Sequence, residues 1–508
     1  MCKYKTQVYL VGVGPGDESL ITQAGLDCIR AADVIVYDHL IPEKVLEHRK
    51  PQAKLIYVGK TPKRHTLIQA EINKLLVRQA RKGRTVARLK GGDPFIFGRG
   101  GEEALALQKA GVLFDVVPGV SSGLAAAIYA GIPVTQRGIS SQLMFVTGHE
   151  DPAKRTSDVD WASLAKFKGT LVVFMGMGRI DKISRALIGG GMKKSTPACV
   201  IRWGTLPKQK TLTATLDKIA NKAKEKQLVN PAVIIIGEVV KLRNKLDWYE
   251  KKPLFGKKIL VTRPLPFAAE LSGILRKFGA QTIEYPLIEL RKNNKIAPKV
   301  LINKFNACDW AVFTSVSAVN MCFEVLNSAG KDARIFGNKK IAVIGEETRN
   351  QLHRYGIRSD LMPKKFFMEG LVRAFKSVDL KGKRVFIPHS RQGRKVLCEE
   401  LRKQGARVDE IFIYSVKAAR AGGAKHLAEM IKKEDFDVIT FTSSSCVRQF
   451  MHDMKTKKEL LKKQAFAAIG PITASCLKSY GFRAEISART FTIKGLAEEI
   501  IKYYMNKR

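Results

Sequence analysis

The chain has 508 residues, 45% of them hydrophobic and 27% charged; that balance excludes a disordered polymer, and the length requires several domains. Lys+Arg number 89 against 46 Asp+Glu, for a net charge of +43. The excess is +17 over residues 1–250 and +26 over 251–508, so it is not a basic tail. Such a field attracts anions, either nucleic acid or a small molecule bearing many carboxylates. A lysine-rich bias on solvated faces would produce the same excess. No nucleic-acid motif of defined spacing accompanies the charge, so no nucleic-acid partner is expected. No apolar run approaches the roughly 20 residues that span a bilayer, and the N-terminal run is too short for a signal segment. A soluble, cytoplasmic protein without a membrane partner is expected. The eight cysteines, Cys2, Cys28, Cys199, Cys308, Cys322, Cys398, Cys446 and Cys476, form no CxxC pair and no Cys/His cluster of zinc spacing. They read as reduced, buried thiols, and no metal is expected.

In chain order, β-branched apolar runs closed by Gly, Asp or Pro predict strands at 8–14, 32–38, 54–59, 85–92, 113–119, 142–148, 170–176, 197–204 and 232–240. Apolar residues at helical spacing predict helices over 21–32 and 71–83. This alternation predicts α/β architecture with mostly parallel sheets. The charged stretch 241–257, KLRNKLDWYEKKPLFGK, lies outside the pattern and marks a domain boundary. Beyond it, four blocks recur in the same order at offsets of 125 to 128 residues, among them DWAVFTSVSAVNMCF (309–323) with DVITFTSSSCVRQF (437–450). A period of that size implies two similar α/β lobes, not a solenoid.

Gly12-Val13-Gly14-Pro15-Gly16-Asp17 follows the first strand but is a poor dinucleotide fingerprint. Asp17 stands where the third glycine belongs, and Pro15 removes an N–H. The loop reads as a close-approach turn for a neutral or cationic ligand. Gly91 to Gly101, GGDPFIFGRGG, has a glycine density beyond the needs of turn chemistry. There Asp93 suits ribose hydroxyls or an amino group, or else caps a helix. In the second half, strand ends carry hydroxyls at Thr314, Ser315, Ser317, Thr348, Ser390, Thr442 to Ser445 and Thr473. Taken singly these are N-caps; aimed together into a cleft they would bind carboxylates.

GVGPGD (12–17), VYDHL (36–40), VGK (58–60), HTLIQAEIN (65–73), RLKGGDPFIFGRGGEE (88–103), VPGVSSG (117–123), GIPVT (131–135) and VTGH (146–149) occur in that order. Together they resemble the uroporphyrinogen-III C-methyltransferases of the tetrapyrrole methylase superfamily, over residues 7 to about 248. The resemblance implies S-adenosylmethionine held between two α/β lobes, about 1–117 and 118–245. It carries the cofactor positions to Pro15, Gly91, Gly92, Asp93, Ile96, Ser121, Ser122, Met175, Gly204 and Ala232. Ser121-Ser122 stands where the family commonly has Thr-Ala. The resemblance makes Asp38 the base and Lys60 the proton donor; their other readings are a cap and a surface cation. Thr61 to Arg64 departs from the family pattern, and Lys63, Arg64 and His65 still suit substrate carboxylates.

ILVTRP (259–264), EYPLIEL (284–290), FTSVSAV (313–319), IGEETRNQL (344–352), IPHSRQGRKVLCEEL (387–401), IYSV (413–416), TFTSSSCVRQF (440–450) and AIGPITASCL (468–477) are together similar to uroporphyrinogen-III synthase, over 256–504. That resemblance implies a pair of flavodoxin-like lobes joined by a two-stranded linker: lobe one 256–288 plus 418–508, lobe two 291–415, with 249–255 as the connector to the methyltransferase. It makes Tyr414, otherwise a packed strand residue, the group assisting hydroxyl departure. Thr348, Ser390, Thr442, Ser443 and Thr473 become substrate contacts, with no cofactor in this half. The chain as a whole would cyclise hydroxymethylbilane to uroporphyrinogen III and methylate the product twice, giving precorrin-2. Family habit adds a homodimer through the methyltransferase half. Two alternatives stand beside this reading: an inactive C-terminal binding or channelling module, and a basic nucleic-acid-binding protein.

Overall fold

The computed structural model describes residues 7–59, 68–148, 158–265, 267–391, 396–419 and 423–507. The chain divides into two compact units, the first ending at Gly256 and the second starting at Lys257. Among the described residues no helix is long and apolar enough to cross a membrane.

The first unit holds two five-stranded sheets. One comprises β1 (Val8–Gly12), β2 (Val34–Tyr37), β3 (Lys54–Tyr57), β4 (Val86–Lys90) and β5 (Phe114–Val117), ordered β3-β2-β4-β1-β5. All its pairings are parallel. The apolar runs predicted these strands because a parallel sheet is covered on both faces; Val8, Leu10, Val34 and Val86 are fully buried. The predicted helices form over Gln23–Ala31 and Gln69–Arg81.

The other sheet departs from the parallel expectation. It comprises β6 (Leu143–Thr147), β7 (Thr170–Phe174), β8 (Pro197–Arg202), β9 (Lys210–Thr215) and β10 (Ala232–Ile236), ordered β6-β7-β10-β8-β9. Here β6 and β7 are parallel, while β10 lies antiparallel to β7 and β8, and β9 antiparallel to β8. The turn over 203–209 is too short for a crossover, so β8 and β9 pair as a hairpin. The half-exposed β9 lacks the apolar run that marked the other strands.

Residues 249–255, read as a connector, are instead built into the first unit. Tyr249 and Leu254 are buried, and the Tyr249 hydroxyl donates to the Thr205 carbonyl at 3.0 Å. Glu250 accepts from Gln209 and Arg243 at 2.8 and 2.6 Å. Aromatic packing among Tyr129, Trp248, Tyr249 and Phe255 outweighs the charge that made the stretch look solvated.

The second unit also holds two sheets. Strands β11 (Lys258–Val261), β12 (Gln281–Glu284), β18 (Val438–Phe441), β19 (Ala465–Ala468) and β20 (Ile486–Ser487) form an all-parallel sheet ordered β12-β11-β18-β19-β20. Between β12 and β18 the chain builds the other sheet from β13 (Ile288–Lys292), β14 (Trp310–Phe313), β15 (Lys340–Val343), β16 (Arg384–Ser390) and β17 (Arg407–Ala418), ordered β13-β17-β16-β14-β15. β13 and β17 pair antiparallel from Ile288↔Ala418 to Lys292↔Tyr414, which is the expected two-stranded link.

The internal repeat is structural. Asp309 and Asp437 each accept the backbone N–H at the start of the neighbouring strand, from Arg384 at 2.7 Å and Lys258 at 2.8 Å. Ser315 and Ser443 cap the following helices by accepting from Ala318 and Cys446 at 3.1 and 3.2 Å. A side chain at Gly370 or Gly495 would strike the carbonyl of Lys365 or Thr490. Both lobes therefore require the same residue types at the same points.

Candidate functional site

In the first unit the candidate cofactor residues gather where backbones cross. A Cβ at Gly12 would lie 2.6 Å from the Gly119 nitrogen, and one at Gly119 would lie 2.2 Å from the Gly92 carbonyl oxygen. Gly14 and Gly92 exchange backbone hydrogen bonds at 3.3 and 2.9 Å. Gly92 has φ +72°, a left-handed conformation in which it faces the Ser121-Ser122 backbone. Asp93 ties the crossing together: Oδ1 accepts from Phe95 N–H at 2.8 Å and Oδ2 from Gly119 N–H at 3.1 Å. Its carboxylate thus fixes the loop from within.

Most of the other candidates lie on the helix after this seam or on the second sheet and its flanking turns. Ser121 is the N-cap of the helix Ser122–Tyr129 and is nearly buried, yet its hydroxyl does not cap the helix. That leaves a helix start whose N–H groups favour a carboxylate. Ile96 packs against the core cluster to which Ala126, Ala127 and Phe174 belong, and a Cβ at Gly204 would meet Ala126 Cβ at 2.6 Å. The Pro15 carbonyl accepts from the Thr205 hydroxyl. Ala232 opens β10 opposite Arg202. Met175 is half exposed just past β7. Among the described residues, Phe97, Arg99, Met175, Trp203, Thr205, Gln227 and Asp435 are the non-glycines at positive φ. Phe97, Trp203 and Thr205 adjoin candidates and Met175 is itself one, and such strain collects at binding sites.

Asp38 lies at the end of β2. Its Oδ1 accepts from Leu40 N–H at 3.0 Å, and Arg88 Nη2 lies 3.6 Å from Oδ2. Arg88 belongs to a buried charge network that the sequence reading missed. Arg88 and Lys90 alternate on β4, each 4% exposed. Both reach the fully buried Glu103 at 3.0 Å. Gln69 donates to the same carboxylate at 3.2 Å. Desolvation, and then the neighbouring Arg88, holds the Lys90 ammonium below its usual pKa. Two cations alternating within an otherwise apolar strand, with a Glu following the glycines, were the available signal. Lys60, together with Lys63, Arg64 and His65, lies outside the described residues.

In the second unit the candidates fall into two groups. A cavity of about 160 Å³ at the end of the β13-β17-β16-β14-β15 sheet is lined by Thr314, Ser315, Ser390 and Tyr414 together with His389 and Cys398. The Tyr414 and Ser315 hydroxyls share a hydrogen bond of 3.1 Å. The pairing of β16 with β17 shifts register between His389 and Ser390, so that Ile413 is skipped and Ser390 stands opposite Tyr414. Thr442 and Ser443 follow β18 in the other lobe, and Ser443 uses its hydroxyl as the cap described above. Thr348 and Thr473 are nearly buried, each within the first turn of its helix. The spacing of the cysteines did not reveal that His389, Cys398 and Glu410 meet.

Comparisons with known proteins agree with this division. A model of the tetrapyrrole (corrin/porphyrin) methylases matches residues 7–220, and one of uroporphyrinogen-III synthase HemD matches 269–498. A porphyrin biosynthesis protein HemD from Ruminiclostridium josui is 36% identical over 97% of each chain. A uroporphyrinogen-III C-methyltransferase from Priestia megaterium is 51% identical over 46% of this chain and 98% of its own. A solved uroporphyrin-III C-methyltransferase from Thermus thermophilus, complexed with S-adenosyl homocysteine, is 38% identical over 46% of this chain and 94% of its own, with a TM-score of 0.40. With two family models on successive halves and a relative aligned from end to end, the chain belongs to the porphyrin-biosynthesis family that joins a tetrapyrrole methylase to a uroporphyrinogen-III synthase.

Proposed function

We propose that the second unit cyclises hydroxymethylbilane to uroporphyrinogen III with inversion of one ring, and that the first unit methylates this product twice to a precorrin-2-type compound. The glycine crossing of Gly12, Gly92 and Gly119 carries the methyltransferase reading. It brings segments far apart in sequence into backbone contact beside the helix start at Ser122. S-adenosylmethionine would supply a methyl group already activated on sulfur; its carboxylate suits the helix start at Ser122, and its remaining parts suit Gly91 to Asp93, Ile96, Met175, Gly204 and Ala232. Positioning then supplies most of the rate. Asp38 serves as the base for the carbon-bound proton, its two oxygens fixed by Leu40 N–H and Arg88. Lys60 serves as proton donor.

In the second unit Tyr414 delivers a proton to the departing hydroxyl, with Ser315 orienting its O–H. Ser390, Thr348, Thr442, Ser443 and Thr473 form the hydroxyl-rich walls for the acetate and propionate side chains. The test is a coupled reaction from hydroxymethylbilane and S-adenosylmethionine, read by mass spectrometry and isomer analysis. The expected product is the type III isomer carrying two added methyls; absence of methyl gain from authentic uroporphyrinogen III overturns the assignment. Tyr414→Phe should lower the cyclisation kcat by about 10²-fold or more and leave methylation intact. Equal cyclisation rates would return Tyr414 to packing.

A further inference from the structure

Three elements of the second unit converge on a group of side chains that neither proposed reaction uses. His389 comes from β16, Cys398 from the helix Val396–Lys403 and Glu410 from β17. Their donor atoms all lie within 4.8 Å of one another. His389 is 5% exposed and Cys398 2%. His389 Nε2 lies buried 3.2 Å from Glu410 Oε2, so the imidazole and the carboxylate already face each other. Arg402 takes the other Glu410 oxygen, Oε1, at 2.6 Å, while Oε2 faces His389.

We propose that His389, Cys398 and Glu410 form a binding site for a borderline-soft divalent transition-metal ion of the zinc class. The donor set is one imidazole nitrogen, one sulfur and one carboxylate oxygen, the mixture that suits zinc and excludes magnesium or calcium, which take oxygen. Zinc bonds of about 2.0–2.3 Å require the widest donor pair to close by about 1 Å. On binding, the Cys398 S–H bond breaks and its proton passes to solvent; the sulfur lone pair forms the new bond, with no change of oxidation state. The resulting thiolate and the carboxylate supply two negative charges against the ion's two positive ones. Three protein ligands leave a fourth position, and the neighbouring cavity, which His389 and Cys398 also line, has room for water there. The register shifts between His389 and Ser390, leaving Ile413 of β17 unpaired, and such irregularities accompany sites more often than plain pairing does. Sequence spacing hides this group because its members sit on three elements.

The probe is Co²⁺, then Zn²⁺, added to the reduced, chelator-stripped full chain. One Co²⁺ per chain should bind with a thiolate-to-cobalt charge-transfer band, and Zn²⁺ should abolish the band on displacement. Cys398→Ser should remove the band, and His389→Gln should weaken Co²⁺ binding at least tenfold, while Cys28→Ser keeps both. X-ray absorption at the zinc edge of the wild-type protein should show one sulfur among nitrogen and oxygen ligands, a readout independent of whether the variants fold. No band at micromolar metal, a band that persists in Cys398→Ser, or a sulfur-free zinc shell each overturns the proposal.

Discussion

At the level of single residues, the candidates differ in what their side chains already do. Asp93 accepts two backbone N–H groups and so holds Gly119 against Gly92. Asp93→Ala should therefore weaken S-adenosylmethionine binding by more than one charge-assisted hydrogen bond, about 1.5–3 kcal/mol. Isothermal titration checks this, and unchanged affinity would leave Asp93 as a local cap only. Glu103 is the shared anion of Arg88 and Lys90. Glu103→Gln strands two buried cations and should cost about 3–5 kcal/mol of unfolding free energy, read from denaturant midpoints. It should also lower the methylation rate, because Arg88 is what fixes the outer oxygen of Asp38. Destabilisation without a rate effect would show the network to be a structural brace.

At the level of elements, the second unit repeats one device. A strand ends, a serine caps the next helix, and the helix start faces the end of the sheet. Ser443 is caught between two roles, since its hydroxyl already accepts from Cys446 N–H. Ser443→Ala should cost about 1 kcal/mol as a lost cap, and thermal unfolding measures that. If KM for hydroxymethylbilane also rises, the hydroxyl touches substrate; if stability alone falls, it is a cap. Its counterpart Ser315 differs, because its hydroxyl also meets Tyr414. One motif in two lobes has thus been given one structural use and one use beside the proposed chemistry.

For the whole molecule, the contact division at Gly256/Lys257 predicts separable activities. Residues 1–256 alone should fold and methylate uroporphyrinogen III. Residues 257–508 alone should form the type III isomer without added cofactor. A break near residue 380 should abolish cyclisation, because β11 pairs with both β12 and β18 and so needs chain from both sides of the cut. A folded, active 381–508 fragment would contradict this interleaving. The 1–256 fragment must include 249–255, since Leu254 and Tyr249 are buried within that unit.

Much of this was legible in the sequence for a local physical reason. Strands covered on both faces must be apolar, so β1, β4, β14 and β18 announced themselves, and glycines at backbone crossings cannot be replaced, so GVGPGD and RLKGGDP stood out. The recurrence of whole blocks disclosed the two lobes of the second unit. What the sequence could not decide were properties of neighbours. β9 is an exposed edge strand whose partner, not its composition, makes it a strand. The stretch 249–255 looked solvated by charge but is held by aromatic rings brought from residue 129. That Arg88, Lys90 and Glu103 are buried together is decided only when β4 is placed at the centre of its sheet and a helix is laid over it. His389, Cys398 and Glu410 have no shared spacing, because the contact among them is made by the pairing of β16 with β17 and by a helix packed on both. The sequence by itself determined the buried elements and what chemistry their ends carry; only the tertiary structure decided the edge strand and which charged and sulfur-bearing groups are buried together, because both depend on what packs from elsewhere in the chain.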